Sequence, residues 1–201
     1  MAYKSLRDFI AMLEETGDLK RITEPVSTDL EMTEIHRRVL AAGGPALLFE
    51  NVINENGEQA DMPVLANLFG TVERVARAVT MGGQTRTTAK ELREVGELLA
   101  FLRQPEPPKG IKEAVALLPL AKQVMAMRPG HVKNAPCQDV VLTGDKIDLD
   151  RLPIQTCWPG EPAPLITWPL VVTRGPGGDK RDDYNLGIYR MQKLSKNRTL
   201  M

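Results

Sequence analysis

Apolar residues in the first half of the chain recur with a helical period. In SLRDFIAMLEETG, Leu6, Phe9, Ile10 and Leu13 form one stripe of an amphipathic helix. Ser5 stands at the N-cap with Asp8 three residues later as a capping-box acid, and Gly17 stops the helix. LKRITEPV predicts a short strand ended by Pro25. TDLEMTEIHRRVLAAGG predicts a second helix with Met32, Ile35 and Val39 inward, ended by Gly43. ALLFENV reads as a strand buried on both faces, PVLANLFGT as a strand with a turn, and TVERVARAV as a helix. TAKELREVGELLAFLRQ predicts a helix with Leu92, Val95, Leu99 and Leu102 on one side. PEPPKG cannot continue it, and IKEAVALLPLAKQVMAM predicts a last helical segment kinked near Pro119. Helices alternating with short apolar runs imply an α/β layer structure.

The pattern changes after about Pro129. CQDVVLTG, PLITWPLVVTRGPGG and YNLGIYRMQ are strand-like and joined by Gly- and Pro-rich turns. Trp158, Trp168, Tyr184 and Tyr189 all fall in this part. A boundary is expected near residues 126 to 136, with an α/β domain over 1–130 and an antiparallel β region over 131–201.

Composition narrows the function classes. Lys plus Arg and Asp plus Glu each total 26 in 201 residues, so the net charge is zero. Such a chain has no general attraction for nucleic acid or anionic lipid, and no charge repulsion that keeps copies apart. Two cysteines, Cys137 and Cys157, make no disulfide framework. With only His36 and His131 beside them, a structural zinc site is not expected. Asp8, Glu14 and Glu15 interrupt the N-terminal apolar pattern, which is not that of a signal peptide. No run approaches the roughly 20 apolar residues that span a bilayer. A cytoplasmic protein is expected, with peripheral contact to the inner membrane left open.

Most candidate residues have a plain structural reading. His36 reads as a partly exposed surface histidine and His131 as a linker residue. Cys137 and Cys157 read as small buried or half-buried thiols. GGPALLFEN lacks the spacing of a dinucleotide or Walker loop; a helix stop followed by a strand suffices. TCWPGEPAPLITWP is rigidified by four prolines and reads as an ordered crossover, with a pocket wall as the competing reading. YNLGIYRMQ has two readings. In one, Arg190 pairs with an acid across a hairpin. In the other, the strand serves a small molecule: Asn185 offers a hard oxygen ligand for Mg or Mn beside phosphate, Gly187 permits close approach, and Arg190 grips an anion. Strict alternation puts Asn185 and Arg190 on opposite faces, so the second reading predicts a bulge or twist near Gly187.

The chain resembles the UbiD family of prenylated-flavin-dependent decarboxylases. The resemblance is carried in order by SLRDFIAMLEETGDLKRI, AGGPALLFEN, PVLANLFGT, REVGELLAFLRQPEPPKG, DLDRLPIQTCWPGEPAPLITWPLVVTRGP and NLGIYRMQ. It implies a divalent metal, manganese, held by Asn185 against the phosphate of prenylated FMN, and a potassium ion in the same cofactor set. Ile188, Tyr189 and Arg190 would contact the flavin. Arg190 would also face the substrate carboxylate as the catalytic residue and join a proton relay. The implied substrate is an aromatic acid, a (polyprenyl) hydroxybenzoate of ubiquinone biosynthesis, and the implied assembly a homo-oligomer, a dimer or hexamer. The implied fold is an α/β domain followed by the opening strands of a flavin-reductase-like split β-barrel, truncated at its C-terminal side. Family members are much longer, and their further metal-binding His and Glu and their catalytic acids have no counterpart here. The chain is therefore expected to be an N-terminal portion, inactive alone, whose open strand edges invite self-association or leave its end partly disordered. The alternative is a non-catalytic flavin- or partner-binding module.

Overall fold

The computed structural model describes residue 3 and residues 5–79, 89–104, 132–176 and 184–201, with isolated positions between 110 and 125. It is a mixed α/β fold. Helix α1 spans Leu6–Glu15. The Ser5 amide donates to the Asp8 carboxylate at 3.2 Å, and Gly17 ends the turn at φ +74°, a conformation that suits glycine. Strands β1 (Leu19–Ile22) and β2 (Val26–Ser27) lead into helix α2 (Glu31–Ala41). Strands β3 (Ala46–Phe49), β4 (Val52–Ile53) and β5 (Val64–Ala66) follow, then helix α3 (Val72–Val79). β3 is the central strand, parallel to β1 and antiparallel to β5.

Alternation along β3 divides the core into two layers. Ala46 and Leu48 pack with Phe9, Leu13 and Leu19 under α1. Leu47 and Phe49 pack with Val26, Met32 and Val52 under α2. All four β3 residues are buried, as expected for a strand covered on both faces. Burial of each large side chain contributes about 1.5–3 kcal/mol, which makes these two clusters the main source of stability.

Helix α4 (Ala89–Arg103) packs against α3. Its expected inward stripe is not fully covered: Leu99 is 60% exposed. The PEPPKG break and most of the kinked segment at 111–127 lie outside the described residues, as does His131. No helix among the described residues is long and apolar enough to cross a membrane.

The later part differs from its sequence pattern in two places. CQDVVLTG is not a strand. Short 3-10 turns occupy Pro136–Gln138 and Gly144–Lys146, and Val140 and Val141 between them are 73% and 70% exposed. An apolar run becomes a strand only when a neighbour accepts its ladder, and none does so among the described residues. YNLGIYRMQ is not one strand either. β6 (Leu165–Ile166) and β7 (Leu170–Arg174) are followed by β8 (Tyr184–Ile188), β9 (Met191–Ser195) and β10 (Arg198–Leu200). β8 pairs with β7 in a two-stranded ribbon, whereas β9 lies between β6 and β10. No barrel closes among the described strands.

The segment from Gln155 to Trp168 joins the two parts. The Leu30 amide donates to the Thr156 carbonyl at 3.0 Å, and the Thr156 amide donates to the Thr28 carbonyl at 3.1 Å. Leu30 adopts φ +61° at this junction, a region that L-residues other than Asn and Asp rarely enter.

Candidate functional site

The residues singled out in YNLGIYRMQ surround a break in an antiparallel ladder. Leu165 pairs with Gln192 and Ile166 with Met191 on one side of it; Leu170 pairs with Ile188 on the other. Three residues, Thr167–Pro169, therefore oppose two, Tyr189–Arg190. This is a one-residue bulge, which bends the strand and re-aims the side chains around it. Pro169 has no amide hydrogen to offer the ladder, which supplies a local cause. The expected distortion exists, but two residues past Gly187.

Before the bulge, alternation sorts β8 into two faces. Asn185 and Gly187 share one with Thr173 and Val171 of β7. Tyr189 folds back onto this face: the Asn185 Nδ2 donates to the Tyr189 hydroxyl at 3.3 Å. A Cβ on Gly187 would fall 2.3 Å from the Tyr189 ring, so the missing side chain is what lets the ring lie there. Ile188 belongs to the opposite face with Leu170, Val172 and Leu186, all more than half exposed. The structure thus brings Asn185 and Tyr189 together and puts Ile188 across the ribbon from them.

Arg190 is exposed and makes no ion pair among the described residues. The cross-strand acid that would satisfy it structurally is absent there. Its charge reaches Cys157, whose thiol is pushed up by burial while the Arg190 guanidinium acts the other way. Cys157 is buried, as expected; Cys137 is exposed, because the apolar run around it found no partner strand. His36 is half-buried, and desolvation holds its pKa below the usual value.

The TCWPGEPAPLITWP segment is the expected crossover. The Cys157 and Trp158 amides both donate to Glu161 Oε2, at 2.7 and 3.2 Å, closing a tight turn. β6 then leads into the bulge through Thr167 and Trp168. Sequence reasoning passed over Lys193 and Arg74 and named Trp168 only among the aromatics of this part. Lys193, 8% exposed at its side chain, donates to Glu55 and, at 2.8 Å, to Asp150, linking β9 to the N-terminal layer. Trp168 meets Phe69 edge to face at 5.7 Å. Arg74, 2% exposed, shapes the loop that carries Phe69. A lysine in a strand and an arginine in a helix look solvent-facing in a sequence, and no local pattern marks them otherwise.

The donor set fits an anionic ligand better than a metal. A guanidinium with no ion pair among the described residues, a carboxamide and a phenol suit a phosphate or carboxylate. Among the described residues no group of three His, Cys, Asp or Glu could hold a metal ion. Asn185 could give one oxygen to a metal, but these residues supply no complete coordination sphere.

Residues 10–99 match the family model described as the 3-octaprenyl-4-hydroxybenzoate carboxy-lyase N-terminal domain, and residues 130–201 match that of the carboxy-lyase Rift-related domain. Vanillic acid decarboxylase of Sedimentibacter hydroxybenzoicus in its open form superposes with a TM-score of 0.72 at 23% identity, over 99% of this chain and 36% of that one. The UbiD-class enzyme HmfF from Pelotomaculum thermopropionicum, solved with FMN, gives 0.61 at 26% identity, over 96% and 35%. An evolved dimeric form of HmfF in complex with prFMN gives 0.63 at 25% identity, over 98% and 38%. The chain spans just over a third of the length of these solved structures.

Proposed function

The chain belongs to the UbiD family of carboxy-lyases, and from that premise we propose that it is the flavin-binding N-terminal portion of a prenylated-FMN-dependent, non-oxidative decarboxylase. The observation that carries the reading is the bulge at Tyr189–Arg190, which leaves Arg190 without an acid partner among the described residues while Asn185 and Tyr189 share one face. The division into an α/β domain over 1–130 and the opening of a split barrel over 131–201 belongs to the same proposal.

The chemistry asks for an electron sink. Loss of CO2 from an aromatic acid leaves an electron pair in the ring plane, where the ring cannot delocalise it. Prenylated FMN, when bound, supplies that sink, and the protein supplies position and charge. Arg190 would contact the flavin and hold the substrate carboxylate through its planar fork before the carbon–carbon bond breaks. Asn185 would give one carboxamide oxygen to a divalent cation beside the flavin phosphate. Tyr189, on the face it shares with Asn185, and Ile188, on the opposite face, would contact the flavin. The substrate class is an aromatic carboxylic acid; a polyprenylated hydroxybenzoate is the specific candidate, matching the description of the family model.

The test is a titration of the 201-residue chain with FMN and Mn2+, read by flavin fluorescence. The wild type is expected to bind, and Arg190→Ala to weaken binding about tenfold or more, the scale of one lost charged hydrogen-bonding group. Equal affinity in the two proteins would remove Arg190 from the site and the reading with it.

A further inference from the structure

Phe69 is 39% exposed, yet the loop that carries it is held firmly. Asn67, two residues earlier, takes φ +55°, and its Nδ2 donates to the carbonyls of Gly44 at 3.2 Å and Pro45 at 2.8 Å. The buried Arg74 guanidinium donates to the carbonyls of Leu68 and Asn67, each at 3.1 Å. A Cβ on Gly70 would fall 1.8 Å from Asn67 Oδ1, so only glycine closes this turn without moving the amide. A buried guanidinium that donates to two backbone carbonyls fixes the loop.

What the loop presents is one ring. Phe69 stacks on Phe9 of α1, centroids 6.2 Å apart, and meets Trp168 at 5.7 Å and 62°. Trp168 is the middle residue of the three that oppose Tyr189 and Arg190 across the bulge. It is 60% exposed, so its own strands do not hold it, and the neighbouring Pro169 cannot donate to the ladder. We propose that Phe69 is a positioning residue for Tyr189 and Arg190. Through its contact with Trp168, the N-terminal layer sets the geometry of the bulge. Only the FMN measurement below rests on the reading of the bulge as the flavin end.

The experiment uses the 201-residue chain with Trp158→Phe, so that Trp168 is the single tryptophan. Phe69→Ala is expected to shift Trp168 emission. It should speed amide exchange in the ladder pairs that flank the bulge, Ile166 with Met191 and Leu170 with Ile188, about fivefold, the scale of one aromatic contact, while leaving exchange in β1, β3 and β5 unchanged. Phe69→Tyr, which keeps the ring, is expected to restore both. FMN affinity should follow the same order, about fivefold weaker in Phe69→Ala and recovered in Phe69→Tyr. Three results overturn the proposal: an unshifted Trp168, a shifted Trp168 with unchanged exchange at the bulge, or exchange that rises equally in every strand. If the wild type binds no FMN, the flavin reading fails, and the exchange data still decide the coupling.

Discussion

β3 and β8 are both short apolar strands, yet their surroundings are opposite. Ala46, Leu47, Leu48 and Phe49 are buried on both faces, whereas Leu186 and Ile188 stand 67% and 59% exposed. β3 has a strand on each side and a helical layer on each face; among the described strands β8 has β7 alone. A two-stranded ribbon cannot bury a face by itself. The N-terminal layer therefore completes its own core, while the strands around the candidate site depend on what they are docked to. The largest expected effect tests this contrast directly. Leu13→Ala, at a site with no exposure, should cost about 3–5 kcal/mol in urea unfolding, and Leu186→Ala less than about 1 kcal/mol. Equal losses would show that the ribbon is as well packed as the core.

The same contrast explains what could be read from the sequence. α1, α2 and β3 were legible because their signals are local: apolar period, capping box and a stopping glycine within one segment. The double burial of β3 was legible as an unbroken apolar run. In the β region the decisive facts are not local. Whether CQDVVLTG forms a strand depends on a partner elsewhere. The break in YNLGIYRMQ is set by an extra residue in the opposing Thr167–Pro169 stretch, so the strand's own residues place it near Gly187, two positions early. Asn185 and Arg190 could be named from their chemistry, but the fold-back of Tyr189 onto Asn185 needs the register. Lys193, Trp168 and Arg74 act across regions distant in the sequence, and nothing beside them announces it.

The second prediction concerns the ionic link between the two regions. Burial pulls the Lys193 ammonium down, but hydrogen bonds to Asp150 and Glu55 outweigh it and the net direction is up. A lysine whose folded pKa lies above its unfolded value adds stability that is complete below about pH 10, the ordinary lysine range, and is lost as pH rises through the folded value. Lys193→Met should cost about 1–3 kcal/mol at pH 7, since Glu55 and Asp150 keep partial access to water after the loss. Its unfolding should also lack the decline that the wild type shows as pH rises above the ordinary lysine range. A variant that tracks the wild type across that alkaline range would mean that the triad does not tie β9 to the N-terminal layer.

The smallest effect comes from one substitution made in each region. A Cβ on Gly44 would fall 2.8 Å from Val39 Cγ1 and 3.1 Å from the Val39 carbonyl oxygen, at the packed end of α2. A Cβ on Gly187 would approach closer still, 2.3 Å from the Tyr189 ring, but that ring is 43% exposed and free to swing outwards. Distance alone ranks Gly187→Ala as the worse change; packing reverses the order. Gly44→Ala should cost about 1–3 kcal/mol, because backbone and a half-buried valine must give way. Gly187→Ala should lie within about 0.5 kcal/mol of the wild type, since the gain from replacing glycine in a strand offsets the loss of one exposed hydrogen bond. The ring would nevertheless have left Asn185, and the side-chain amide NMR signals of Asn185 should shift. If Gly187→Ala proves as costly as Gly44→Ala, Tyr189 is locked in place, and the face it shares with Asn185 is as rigid as the core under α2.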